Sequence, residues 1–135
     1  MSAGPAPLAL VTGGFRRVGA SIAMELARAG YALALHGRSD LTPEAELAET
    51  LAKQGTEWHG FSADLADCDA SQLLVERVTA HFARAPDVLV NNASLFEYDD
   101  WQSMSAQMLA DHFAVNLFAP MLLTRAVVAG AGEGQ

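Results

Sequence analysis

Four short apolar runs alternate with stretches of helical periodicity, and this alternation restricts the fold more than any other feature of the chain. The runs are Leu8 to Thr12, Tyr31 to His36, Trp58 to Ala63 and Asp87 to Val90. They are too short for core helices and read as strands, the first and the fourth as buried ones. After the first, Val18, Ile22 and Leu26 recur at four-residue spacing beside Ala23 and Ala27, and Gly30 suits a helix C-terminus. Thr42-Pro43 predicts a second helix start, with Leu47 and Leu51 facing inward and a stop near Gly55. Asp69 is expected to cap a third helix carrying Leu74, Val78 and Phe82 on one face. A loop from Asn91 to about Gln102 leads to a last helix, Ser103 to Val128, in which Pro120 predicts a kink. Strands separated by helices of this length form a parallel sheet with right-handed crossovers and helices on both faces. The chain is therefore expected to be one α/β domain over residues 1–135, with about four strands and four helices.

Composition narrows the partners. Hydrophobic residues make up 51% of the chain and charged residues 18%, which suits a packed domain. The net charge of −8 argues against general nucleic-acid binding, which needs a basic surface. Cys68 is alone, the start MSAGPAPLAL lacks a signal-peptide pattern, and no uninterrupted apolar stretch reaches the ~18 residues of a membrane span. A cytoplasmic protein with no membrane partner and no metal site is the expectation.

Every chemically unusual cluster follows a strand, at the edge where parallel sheets bind ligands. Gly13 and Gly14 allow a tight turn, and Gly19 would let the next helix approach the strand closely. The helix N-terminus then offers free N–H groups to a pyrophosphate. After the second strand come His36, Gly37, Arg38 and Ser39, where an NAD-selective fold would carry a carboxylate for the ribose 2′-hydroxyl. An arginine and a hydroxyl suit a 2′-phosphate instead. Arg16 could help neutralise that phosphate, and Asp40 blurs the preference. Asp64 either accepts from an adenine amino group or caps a turn. Asn91 and Asn92 can tie neighbouring strands together, Ala93 leaves room for a flat ligand, and Phe96 either stacks on substrate or packs inward.

Together these residues resemble the short-chain dehydrogenase/reductase family. Its TGxxxGxG loop matches Thr12-Gly13-Gly14-Phe15-Arg16-Arg17-Val18-Gly19, its NNAG motif Asn91-Asn92-Ala93-Ser94, its adenine-binding acid Asp64 and its helix asparagine Asn116. The resemblance implies a Rossmann-type doubly wound parallel sheet, here incomplete, and an NADPH cofactor. That cofactor would be held by Gly13, Phe15, Arg16, Arg17, Val18, Gly19, Arg38, Ser39, Asp64, Leu65, Asn91, Asn92 and Ala93. Asn116 is the implied catalytic position. Arginine in place of the middle glycine, and the segment from Asn91 to Phe96, are similar to the pteridine reductases of this family. Arg17, Ser94 and Phe96 would then hold a pterin-like substrate. The run His36-Gly37-Arg38-Ser39 is similar to their H-x-x-R-S segment but one residue shorter.

The family's tyrosine, with a lysine four residues on, is missing. The two tyrosines, Tyr31 and Tyr98, are followed at that spacing by Leu35 and Gln102, and Lys53 is the sole lysine. A tyrosine without cationic help titrates near ~10, too high for ready proton transfer at neutrality. The chain thus reads as the N-terminal part of a larger reductase domain, with the catalytic residues beyond Gln135 and self-association through the last helix. The alternatives are a non-catalytic nucleotide-binding or assembly module and another Rossmann-type protein such as a methyltransferase.

Overall fold

The computed structural model describes residues 4–131. Its elements run β1 (Leu8–Val11), α1 (Arg17–Arg28), β2 (Ala32–Gly37), α2 (Ala45–Gln54), β3 (Trp58–Ser62), α3 (Cys68–Phe82), β4 (Val88–Val90), α4 (Ala106–Phe113) and α5 (Ala119–Gly130). Residues 1–3 and 132–135 lie outside the described residues. The strands form one parallel sheet in the order β3-β2-β1-β4, with Val11 level with Leu35 on one side and Val90 on the other.

Adjacent residues of the central strands serve opposite cores. Leu8 and Leu10 of β1, with Ala32 and Ala34 of β2, pack under Leu74, Val78, Leu123 and Val127 of α3 and α5. Ala9, Val11, Leu33 and Leu35 face the other way, onto Ala20, Ala23, Leu47 and Leu51 of α1 and α2. This is the doubly wound arrangement expected, with apolar residues on successive positions of β1 and β2 because neither face of these central strands sees water. β4 differs from expectation. It is half-buried rather than fully buried, because it is an edge strand paired only with β1.

Three local expectations are corrected. α2 starts at Ala45 and not at Thr42-Pro43, since Thr42 donates its N–H to Asp40 Oδ1 at 2.9 Å and belongs to the preceding turn. α3 is capped by Asp67, which accepts from the amides of Asp69 and Ala70, so Asp69 lies in the first turn. The last helical run begins at Ala106, capped by Ser105, and its irregularity is a π-helical stretch, Ala114–Phe118, just before Pro120. Proline has no N–H for the carbonyl four residues back and its ring collides with that carbonyl, so the looser turn accommodates Pro120.

The run Ala106–Gly130 is long and apolar enough, by length and composition, to cross a membrane. Its inner side, Ala119, Leu123 and Val127, is spent on the α3 core, while Phe113, Leu117, Phe118, Met121 and Val128 stand exposed.

Candidate functional site

The carboxyl ends of the four strands gather every loop singled out in the sequence. Thr12, at the end of β1, is fully buried and joins the first loop to the fourth. Its hydroxyl accepts from the amides of Asn92 at 3.1 Å and Ala93 at 3.0 Å and lies 3.4 Å from the Val90 carbonyl that it donates to. Asn92 returns the tie by donating its side-chain amide to the carbonyls of Thr12 and Gly13, both at 3.1 Å. A buried network with each member paired is rigid, because any shift leaves a polar group unsatisfied.

Gly19 seals the same corner. A Cβ there would lie 1.9 Å from the Gly13 carbonyl oxygen and 2.6 Å from the Asn92 amide nitrogen. Only glycine lets α1 come this close, as its position in the sequence suggested. Arg17, where the family motif has its middle glycine, adopts φ +51, in the left-handed region. A non-glycine residue pays for this conformation, and such strain gathers where a loop must aim its amides. Arg16, the N-cap, gives α1 no side-chain cap, and the first-turn amide of Arg17 instead meets the carboxylate of Glu44 at 3.2 Å. An acidic oxygen therefore already sits at this helix N-terminus, as the partial positive charge there favours.

His36, at the end of β2, was read from the sequence only as part of the run His36-Gly37-Arg38-Ser39, with no role of its own. It is buried at 3% exposure; its Nδ1 accepts from Gly13 N–H at 3.1 Å and its Nε2 lies 2.9 Å from the Ala63 carbonyl. An amide can only donate and a carbonyl only accept, so the ring is neutral with its hydrogen on Nε2. Burial pushes its pKa below the ordinary histidine value, against the Ala63 bond, which raises it; nearby Arg77 lowers it further. A histidine closing an otherwise apolar strand was the available signal.

Two adjoining cavities share His36 and Arg38 as a wall. One, about 210 Å³, is lined by Gly13, Phe15, Arg16, Ser39 and Asp40. The other, about 240 Å³, is lined by Asp64, Leu65, Ala93, Ser94 and Leu95. Phe15 is buried and packs edge-on to Trp58, so it is a floor as well as a lining. Arg16 is ion-paired with Asp40, whose carboxyl is held below its usual range chiefly by the Thr42 amide. Among the described residues no carboxylate pairs with the guanidinium of Arg38 or Arg17. Asp64 accepts the Ala66 amide through Oδ1, so it does cap a turn while also lining the cavity.

Other expected residues are placed elsewhere. Val18 is exposed on α1, and the Asn91 side chain turns to Thr124 of α5 at 3.3 Å. Phe96 neither packs inward nor lines either cavity, being 84% exposed. Asn116 grips the backbone of Leu95 at both ends, accepting its N–H at 2.7 Å and donating to its carbonyl at 2.8 Å. One turn earlier, His112 accepts from the Glu97 amide at 3.1 Å and reaches the Met108 carbonyl at 2.7 Å. Sequence reasoning gives His112 no role beyond packing or surface exposure. Its i, i+4 spacing with Asn116 was the clue that both face one loop.

A sheet of this order, with a glycine turn tied to an Asn-Asn-Ala loop, has known counterparts. The profile of the family described as short chain dehydrogenase matches residues 7–134. The chain belongs to the short-chain dehydrogenase family. Among curated relatives, the hydroxynaphthalene reductase of Aspergillus fumigatus is 30% identical over 118 residues, which is 87% of this chain and 43% of that protein. A metagenomic short-chain oxidoreductase in complex with NADP superposes with a TM-score of 0.80 at 33% identity, over 92% of this chain and 56% of that one. A 3-oxoacyl-[acyl-carrier protein] reductase from Brucella melitensis in complex with NAD gives a TM-score of 0.77 at 32% identity, covering 95% and 50%. This short-chain dehydrogenase chain thus spans about half the length of the relatives it matches. Relatives of its kind bind NADP or NAD, so the family alone leaves the choice of nucleotide open.

Proposed function

We propose that the chain is the NADPH-binding N-terminal part of a cytoplasmic short-chain reductase. The observation that carries this reading is Arg38, a guanidinium at the end of β2 that borders both cavities and has no carboxylate partner among the described residues. A carboxylate at this strand end would repel a 2′-phosphate, whereas a guanidinium with Ser39 beside it can pair with one. The residues present fit the cofactor in one further respect, the contact at Gly19 that keeps α1 against the loop, while the Glu44 carboxylate bonded to the Arg17 amide would have to give way to the pyrophosphate.

In this reading Gly13, Arg17, Val18 and Gly19 offer amides and charge to the pyrophosphate. Phe15 and Arg16 border the ribose phosphate with Arg38 and Ser39, and Asp64 and Leu65 take the adenine. Asn91, Asn92 and Ala93 shape the floor under the nicotinamide side. When bound, NADPH supplies a hydride for a carbonyl or imine-type carbon. Asn116 holds the substrate-side loop through Leu95. Proton delivery falls to residues outside this chain, since Tyr31 packs on the α1–α2 core, Tyr98 stands in solvent and Lys53 lies on α2. The narrower pterin reading rests on Arg17 and Ser94; exposed Phe96 would have to turn inward to join them. Self-association is placed on the exposed apolar side of α4 and α5, and a monomer by sedimentation would remove it.

Titration of the chain with both nucleotides tests the central point. NADPH should bind at least ~10-fold more tightly than NADH, and Arg38→Ala should abolish most of that preference, since a charge-assisted bond contributes about 1.5–3 kcal/mol. Equal affinity for the two, or a preference that survives Arg38→Ala, would defeat the NADPH reading.

A further inference from the structure

We infer that His36 is the positioning residue of the glycine loop, a neutral clamp whose one ring joins the ends of three strands. The inference rests on the dinucleotide reading above and gives a role to a residue outside the glycine motif itself. Gly13 N–H donates to Nδ1, Gly14 N–H donates to the His36 carbonyl at 3.0 Å, and Nε2–H donates to the Ala63 carbonyl. Gly13 is at φ +61 and carries the carbonyl that touches both Gly19 and Asn92. Whatever sets Gly13 therefore sets the approach of α1 and the direction of its first amides. His36 also lines both cavities.

The clamp works only while Nδ1 is unprotonated. A second ring hydrogen there would face the Gly13 N–H donor to donor, and that amide would lose its acceptor. The charged groups around it are Arg77 from α3, Arg38 on both cavities, Arg16 with Asp40 in one, and Asp64, Glu97 and Asp111 in the other. Because the folded-state pKa lies below the unfolded value of about 6.5, the neutral clamp prevails at and above neutrality. Its contribution is lost as the pH falls through the lowered folded-state value.

Two substitutions separate the bonds. An asparagine amide oxygen replaces Nδ1 and can keep the Gly13 bond, whereas a glutamine amide nitrogen replaces Nε2 and can keep only the Ala63 bond. At pH 7.5, His36→Asn should bind NADPH within ~3-fold of the wild type and His36→Gln ~10-fold more weakly, as expected for one lost loop hydrogen bond of about 1.4 kcal/mol. The melting temperature of each variant is measured alongside. Affinities that follow melting temperature rather than the retained bond would overturn the clamp. The 2′-phosphate itself titrates near ~6, so His36→Asn provides the baseline for a pH series. Wild-type affinity should fall more steeply than this baseline on acidification, with the excess loss centred where the His36 ring resonances titrate. Parallel profiles would count against the inference, as would ring-nitrogen NMR finding the hydrogen on Nδ1. If the wild type binds neither nucleotide, the dinucleotide reading falls and takes this role with it; if it binds and the variants do not split, His36 alone is misassigned.

Discussion

The glycine loop and the loop after β4 border the same crevice but are held in different ways. The first is tied to the second, third and fourth strand ends through buried groups: Thr12, the amides of Gly13 and Gly14, His36 and Asn92. Beyond Ala93 the other loop runs through exposed Phe96, Tyr98 and Trp101 and is pinned to α4 and its π-helical continuation by Asn116 and His112. One wall is completed by the chain's own packing, and the other is hung from a helix at two points. A cofactor common to a family needs a fixed wall, while loops that receive substrate vary and open.

The most severe way to break the first wall is Gly19→Ala. The added methyl meets a backbone carbonyl that cannot rotate away, so destabilisation of ~3 kcal/mol or more is expected, together with lost nucleotide binding. Denaturant unfolding checks it, and a variant as stable as the wild type would mean that the α1 contact is not tight. The second wall should respond locally. Asn116→Ala removes both bonds to an exposed stretch of backbone, for a global loss of only about 1 kcal/mol. Hydrogen exchange at Leu95 should quicken while Gly13 stays protected; equal quickening at both would show that the loops are one unit. The smallest effect should come from Arg17→Gly. Relief of a left-handed residue, worth ~1–2 kcal/mol, is offset by ~0.5–1 kcal/mol of glycine entropy, leaving a slight gain in stability. NADPH binding should weaken in the same variant, and a variant that loses stability would argue that Arg17 has a structural role.

Much of the frame was legible because it rests on local rules. The two-faced apolar runs announced a sheet covered on both sides, and Gly19 announced a close helix. Less legible were boundaries with competing signals. Asp67 and Asp69 both suit a cap, and Asp67 prevails because its carboxylate reaches two amides. Thr42-Pro43 has the composition of a helix start, yet Asp40 draws the Thr42 amide into a turn first. The disturbance at Pro120 was foreseeable, but its form as a π-helical stretch around Asn116 was not.

The sequence by itself determined the order of strands and helices, the burial of β1 and β2 on both faces, and the gathering of the loops at one sheet edge. Those properties follow from periodicity and from the handedness of crossovers, which act over short stretches. Only the tertiary structure decided what His36, Asn116 and Arg16 do. Their partners are Gly13 with Ala63, Leu95, and Asp40, each 21 or more residues away along the chain. A polar side chain bonds to whatever the sheet brings within about 3 Å of it, and neighbours so distant in sequence are chosen by strand order and register.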